Sequence, residues 1–301
     1  MAAATIVCRG MTVGYGRTTV FEQASFRVGE GVTCLIGKNG AGKTTLFRVL
    51  AGIIEPRAGA VEVLGRDPFR DRTVRDSTGY LAHRPSLYRA LTVEQNLRFW
   101  AKVSGLEWDT IAPRVAALVE RFDLGVLLGK RAGALSRGQQ QRVAIARMLL
   151  NSPKVVLMDE PSTGLDALAA KELHALVADI RRDGASVIYA THSLAEATEL
   201  GDEFLLIANR SIVALGTRET LRRSDEMRSV RLRMTGNPAA VLAPLGIPCA
   251  KQGEYVEIAL EGSERLHEVL THLLQNGCTL LEMTDAVSTS DALLAKLRAL
   301  D

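Results

Sequence analysis

Short apolar runs separated by glycine turns open the chain: Thr5 to Val13, Thr18 to Val28, Val32 to Ile36 and Ala60 to Leu64. Apolar runs of these lengths between turn residues predict β-strands. Between about residues 86 and 150 the period lengthens, with Val93, Leu97 and Trp100 on one stripe and Val115, Leu118, Val119 and Phe122 on another. That spacing predicts a helical block set between strands. From Lys154 onward, the runs Val155–Met158, Ser186–Ala190 and Phe204–Ala208 alternate with amphipathic stretches at Ala167–Ile180 and Leu194–Leu200. Such alternation predicts an α/β fold whose largely parallel sheet is covered by helices.

The charged stretch Arg218 to Arg231 precedes a tail with a different rhythm, which places the expected domain boundary at residue 226. In the tail, Val230 to Met234 reads as a strand, Pro238 to Leu245 as a short helix, and Pro248 to Gln252 with Tyr255 to Leu260 as two strands. Leu266, Val269, Leu270, Leu273 and Leu274 share one helical face that ends at Asn276-Gly277, and Thr279 to Met283 begins another strand. With a last helix at Ser290 to Leu300, this βαββαβ order predicts a small α+β domain of ferredoxin-like type over residues 227–301.

Composition adds exclusions. At 301 residues with 47% hydrophobic and 24% charged side chains, the chain can bury a core, so disorder and low-complexity readings fall away. No run approaches the roughly 18 apolar residues of a membrane span. The start, Met1-Ala2-Ala3-Ala4-Thr5, lacks the basic flank and apolar core of a secretory signal, so the expected compartment is the cytosol. Cys8, Cys34, Cys249 and Cys278 show no close pairing and are expected to be reduced thiols. The net charge of +3 is spread without a basic block, so no nucleic-acid partner is expected.

The strongest chemical signal is Gly37-Lys38-Asn39-Gly40-Ala41-Gly42-Lys43-Thr44, between the run Val32–Ile36 and the helical Leu46, Val49 and Leu50. Spacing and context match a P-loop: glycines let backbone N–H groups face phosphates, Lys43 adds a cation, and the Thr44 hydroxyl suits Mg²⁺. The run Val155–Met158 then delivers Asp159 and Glu160. Asp159 is expected to face Mg²⁺. Glu160, one position on and pointing to the other side, is expected to act as general base on an attacking water. The competing reading makes the same acidic turn an ordinary helix cap.

Leu135-Ser136-Arg137-Gly138-Gln139 resembles the signature of the ATP-binding cassette (ABC) family, and it lies ahead of the carboxylate strand as in that family. Ser162-Thr163-Gly164-Leu165-Asp166 resembles its D-loop, His192 its switch histidine, and Tyr15 its adenine-stacking aromatic; the likeness covers about residues 5–222. The resemblance implies a P-loop NTPase cassette over residues 1–226, with a parallel sheet core, an antiparallel β subdomain and a helical subdomain at about 86–150. It also implies ATP hydrolysis in a head-to-tail pair. One chain would supply Tyr15, Gly37, Asn39, Gly40, Ala41, Gly42, Lys43, Thr44 and Thr45 to the nucleotide. The other would supply Ser136, Gly138, Gln139 and Asp166, with Glu160, His192 and Lys43 catalytic. A homodimer is expected to suffice, and a heterodimer with a degenerate cassette also fits.

Two positions depart from the family pattern. His83 stands where glutamine usually contacts Mg²⁺ and the membrane partner, and Arg137 stands where glycine is usual. His83 keeps metal-ligand chemistry, although an imidazole becomes cationic as pH falls below about 6.5. Arg137 reads either as a solvent-facing side chain or as an extra cation beside the partner's phosphate. The 116 positions from Lys43 to Asp159 (159 − 43) are too few for the coiled coil of chromosome ATPases, and a single cassette differs from translation-type members. The resemblance therefore implies a transporter subunit held at the cytoplasmic face of the membrane by a separate integral membrane permease. Ser86 to Leu97 and the mixed tail resemble exporter subunits. The alternative is a soluble cassette ATPase acting on a cytosolic machine such as the ribosome.

Overall fold

Strands β1 (Ile6–Tyr15) and β2 (Thr18–Val28) interleave buried and exposed side chains, as sheets with one solvated face do. They pair antiparallel, and β1 pairs antiparallel on its other side with β4 (Ala58–Val63), giving the three-stranded order β2-β1-β4. A second sheet has different physics. In β3 (Val32–Ile36), β6 (Val155–Asp159) and β7 (Ser186–Thr191) every residue is buried, because both faces of a central parallel strand are covered. This sheet runs β5-β6-β7-β3-β8-β9, with β5 at Thr78–Leu81, β8 at Glu203–Ala208 and β9 at Ser211–Thr217. The pairs β5–β6, β6–β7, β3–β7 and β3–β8 are parallel.

The computed structural model describes residues 4–208, 210–218, 227–247, 249–261 and 263–286. Contacts divide the chain into two units, Met1–Leu215 and Gly216–Asp301. The expected boundary at residue 226 lies outside the described residues. In the first unit, α1 (Lys43–Leu50) follows β3 and buries Leu46, Phe47, Val49 and Leu50 in a core shared with Ile6, Phe21, Leu157 and Ile188. The short helix α2 (Arg72–Asp76) precedes β5. The helical block consists of α3 (Val93–Val103), α4 (Trp108–Arg121) and α5 (Arg137–Met148). Thr92 and Ser136 each close a reciprocal capping box, with Gln95 and Gln139 respectively, which sets where α3 and α5 begin. Then come α6 (Ala167–Arg182) and α7 (Leu194–Leu200) on either side of β7.

The second unit has its own core of Val230, Leu232, Leu242, Ile247, Ile258, Val269, Leu273 and Cys278. Its strands β10 (Met227–Thr235), β11 (Cys249–Gln252), β12 (Tyr255–Glu261) and β13 (Thr279–Ala286) form an antiparallel sheet in the order β11-β12-β10-β13. With helices at Pro238–Leu242 and Ser263–Gln275, the element order is βαββαβ, a split βαβ arrangement. The helix expected at Ser290 to Leu300 lies outside the described residues. Among the described strands and α-helices, three had no clear signal in the sequence: α2, β5 and β9. The first two span five and four residues, too short for periodicity to register.

Candidate functional site

The loop between β3 and α1 is built for an anion. Gly42 caps α1 at φ +114°, and a Cβ there would meet Val20 Cγ1 at 2.7 Å and Phe21 Cζ at 2.9 Å. Only glycine fits both the backbone and the space. Lys38, Asn39 and Gly40 are exposed at the rim, while Gly37 and Lys43 are buried and Ala41 is half-buried. The α1 N-terminus and this loop offer backbone N–H groups to a phosphate. The Lys43 ammonium donates to Gly37 O at 2.5 Å and Lys38 O at 3.1 Å, and pairs with Glu160 Oε1 at 2.9 Å. A carboxylate oxygen thus already stands against this buried lysine. That donor set suits a phosphate oxygen.

Thr44 donates its hydroxyl to Asp159 Oδ2 at 2.6 Å, placing two hard oxygens together as Mg²⁺ requires. Burial raises the Asp159 carboxyl above its ordinary range, partly offset by the Thr44 hydrogen bond. His83 is exposed in the loop after β5, and its charge acts on Asp159 in the direction of ionisation. Among the described residues no three His, Cys, Asp or Glu side chains converge as a metal cage. The fit is therefore to an ion completed by phosphate and water, the usual manner of Mg²⁺.

Glu160 corrects one expectation. Strand alternation does not aim it, because β6 ends at Asp159 and Glu160 has φ +48°, a left-handed conformation unusual for this residue. Glu160 N donating to Ala190 O (3.1 Å) and Thr163 N donating to Glu160 O (3.2 Å) hold that backbone. Its Oε2 accepts from Thr163 Oγ1 at 3.3 Å and lies 3.3 Å from His192 Nδ1. Burial raises the Glu160 carboxyl, but the bond and charge of Lys43, with His192 and Thr163, outweigh it and hold the group below its ordinary value. The helix-cap reading of this turn fails: α6 starts later and is capped by Asp166, which accepts from Ala169 N at 2.8 Å.

Tyr15 is 45% exposed, and its hydroxyl accepts from Arg48 Nη1 at 3.1 Å and from Thr45 Oγ1 at 3.5 Å, which fixes the ring beside α1. Ser136, Gly138, Gln139 and Asp166 are brought together elsewhere, around a cavity of about 540 Å³ whose lining includes none of the residues from Gly37 to Thr45. Gln139 Oε1 accepts from Ser136 N at 3.1 Å, so this side chain serves the cap. Arg137 is exposed and lies over the D-loop: a Cβ on Gly164, which has φ +75°, would sit 2.5 Å from Arg137 Nη1. The sequence assigned no role to Thr163, which bonds Glu160 three positions before it, or to Glu196, whose partners come from β7 and α6.

The ABC transporter family model matches residues 21–163. The ABC transporter ATP-binding protein NatA of Bacillus subtilis is 32% identical over 196 residues, 64% of this chain and 80% of NatA. This chain belongs to the ABC transporter ATP-binding family. The doxorubicin resistance ATP-binding protein DrrA of Mycobacterium tuberculosis is 34% identical over 78% of this chain and 72% of DrrA. Among solved structures, cbiO1 of Clostridium perfringens, described as part of the ABC transporter complex cbiONQ, superposes with TM-score 0.64 at 27% identity, covering 74% of this chain and 94% of that one. As an ABC ATPase, this chain binds and hydrolyses ATP, and its α/β cassette is the fold of its relatives. No helix among the described residues is long and apolar enough to cross a membrane.

Proposed function

We propose that this ABC subunit energises a separate membrane permease, in the export direction, by closing head to tail with a second copy of itself around ATP and Mg²⁺. The observation that carries the reading is the division of the site residues. Lys43, Thr44, Asp159, Glu160 and His192 form one cluster, while Ser136, Gly138 and Asp166 line a cavity that includes none of them. A second chain facing the first would bring the capped N-terminus of α5 to the phosphates. One chain type holds both halves, so a homodimer is complete.

In the closed pair the P-loop amides and Lys43 hold the phosphates, and Tyr15 stacks on adenine. Mg²⁺ at Thr44 and Asp159 would neutralise phosphate charge. Glu160 orients the attacking water and takes its proton, and His192, with Nδ1 toward Glu160, keeps Nε2 for a phosphate oxygen. As Lys43 turns to the nucleotide, Glu160 loses the cation that depresses its proton affinity and becomes a stronger base.

For the permease, the structure offers an aromatic patch on α3 and the loop before it. Tyr88 (48% exposed) and Phe99 (37%) have ring centroids 4.6 Å apart, and Phe99 and Trp100 are 5.6 Å apart. Arg147 lies 4.5 Å over Trp100 and donates to Ser86 O at 3.0 Å, stiffening the patch. A cytosolic amphipathic helix of the permease fits this surface, which would hold the chain at the cytoplasmic face of the membrane. Export is supported by the likeness to DrrA, named for drug resistance.

The test is affinity capture with the Glu160→Gln chain and MgATP from detergent-solubilised host membranes, repeated with Phe99→Asp added. A polytopic membrane protein captured at equal stoichiometry and lost with Phe99→Asp supports the reading. Capture of ribosomes or soluble proteins alone overturns the transport assignment and leaves the ATPase chemistry standing.

A further inference from the structure

Glu196, in the first turns of α7, is 8% exposed, and hydroxyls and a histidine surround its carboxylate. Tyr189 donates its hydroxyl to Oε1, Thr191 donates to Oε2, and His174 Nε2 lies 3.1 Å from Oε1. The Ser162 side chain is placed to favour its ionised form as well. A buried carboxylate is tolerated only when its oxygens are satisfied in this way. Burial raises its carboxyl, but Ser162, together with the bonds from Thr191, Tyr189 and His174, prevails and holds it below the ordinary carboxylate range. These partners arrive from separate segments. Ser162 lies two positions after Glu160, and Thr191 immediately precedes His192. Tyr189 is further back in β7, and His174 belongs to α6.

Thr191 has a second task, since its Oγ1 also accepts from Ser193 N at 3.0 Å. Ser193 in turn caps α7 by accepting from Glu196 N at 3.3 Å. The backbone on both sides of His192 is therefore tied to the same carboxylate-bearing residue. On the other side, Ser162 continues into Thr163, whose hydroxyl bonds Glu160 Oε2.

We propose that Glu196 is a positioning residue for ATP hydrolysis: through Ser162 and Thr191, its buried carboxylate fixes the segments carrying Glu160 and His192 relative to each other. This rests on the assignment of Glu160 and His192 as the hydrolytic pair. The P-loop contacts of Lys43 and Thr44 include none of the Glu196 partners, so nucleotide binding is separable from this device. An amide at position 196 would turn an N–H donor toward hydroxyls that must themselves donate, breaking at least one link without changing size.

The test uses the full chain carrying Glu196→Gln, Thr191→Val, Ser162→Ala, and the Glu196→Gln/Thr191→Val pair. For each, kcat and KM for MgATP are read together with equilibrium binding of a non-hydrolysable ATP analogue. Glu196→Gln is expected to lower kcat about 100-fold, with KM and analogue affinity within about threefold of the parent, because misplacement by about an ångström costs rate rather than binding. Thr191→Val and Ser162→Ala each lower kcat about tenfold, and they carry the test if Glu196→Gln does not fold. Since the two act through one hub, the double variant falls within about threefold of Glu196→Gln alone. An unchanged kcat, a parallel loss of analogue affinity, or fully multiplicative losses in the double variant overturns the proposal. Glu160→Gln run in parallel separates the two claims. If it still hydrolyses ATP, the hydrolytic assignment itself fails; if it does not while Glu196→Gln is unaffected, only the positioning role falls.

Discussion

Glu160→Gln tests the contact between base and P-loop directly. Lys43 and Glu160 side chains are 5% and 10% exposed, and their 2.9 Å ion pair competes with any phosphate for the same ammonium. A hydrogen bond to a charged group contributes about 1.5–3 kcal/mol, whereas a neutral amide acceptor contributes about 1 kcal/mol. Replacing the carboxylate therefore weakens the competitor by about 1.5 kcal/mol, equivalent to about tenfold tighter binding of an ATP analogue. The same change removes the proton acceptor, which contributes about 100-fold or more to hydrolysis. The variant is thus expected to bind tighter, turn over at least about 100-fold slower and, with MgATP, run as a dimer. Fluorescence titration with a non-hydrolysable analogue, phosphate release at saturating MgATP and size-exclusion chromatography check the three parts. Binding weaker than the parent's would refute the competition argument, and undiminished turnover would refute the base assignment.

Asp159→Asn should be more stable than the parent at neutral pH while losing Mg²⁺-dependent hydrolysis. The folded carboxyl lies above its ordinary value of about 3.9, so the folded chain holds its proton more tightly and parent stability falls as pH rises through the raised pKa. Thermal unfolding from pH 8 to 4 should show the gap between the two closing toward acid; a gap independent of pH refutes the assignment. Gly42→Ala forces a Cβ against Val20 and the fully buried Phe21 at φ +114° and is expected to cost about 3 kcal/mol in urea unfolding together with nucleotide binding. Asn96, fully buried, accepts from Tyr88 N at 2.8 Å and donates to the carbonyls of Tyr88 and Thr92 at 3.1 and 2.9 Å. Asn96→Ala should cost about 3 kcal/mol and weaken permease capture, with analogue affinity unchanged.

Much of the cassette was legible because its signals are short and contiguous. The buried runs at β3, β6 and β7 announce themselves as parallel strands, since covering both faces of a strand leaves no polar positions. The P-loop is a single stretch whose glycines are dictated by its own backbone. Ser136 and Asp166 begin helices through bonds to N–H groups three residues on, so their place at a helix N-terminus follows from local sequence. The βαββαβ tail was likewise readable from periodicity.

What no local pattern carries is which distant side chains meet. Alternation along β6 suggests a direction for Glu160, yet the direction is decided by a left-handed residue held by Ala190, Thr163, Lys43 and His192. Arg137, a departure from its family's glycine, reads in sequence as solvent-facing or phosphate-facing, and the fold lays it over Gly164. Glu196 resembles any other polar residue of a short amphipathic helix until β7, α6 and the D-loop surround its carboxylate with donors. By itself the sequence determined most of the strands and helices and the phosphate loop, because each depends on interactions within a few residues. The tertiary structure alone decided the ion pair, the aim of the base and the buried hydrogen-bond hub, because contacts between distant segments have no period and exist only once the sheet has set its strand order.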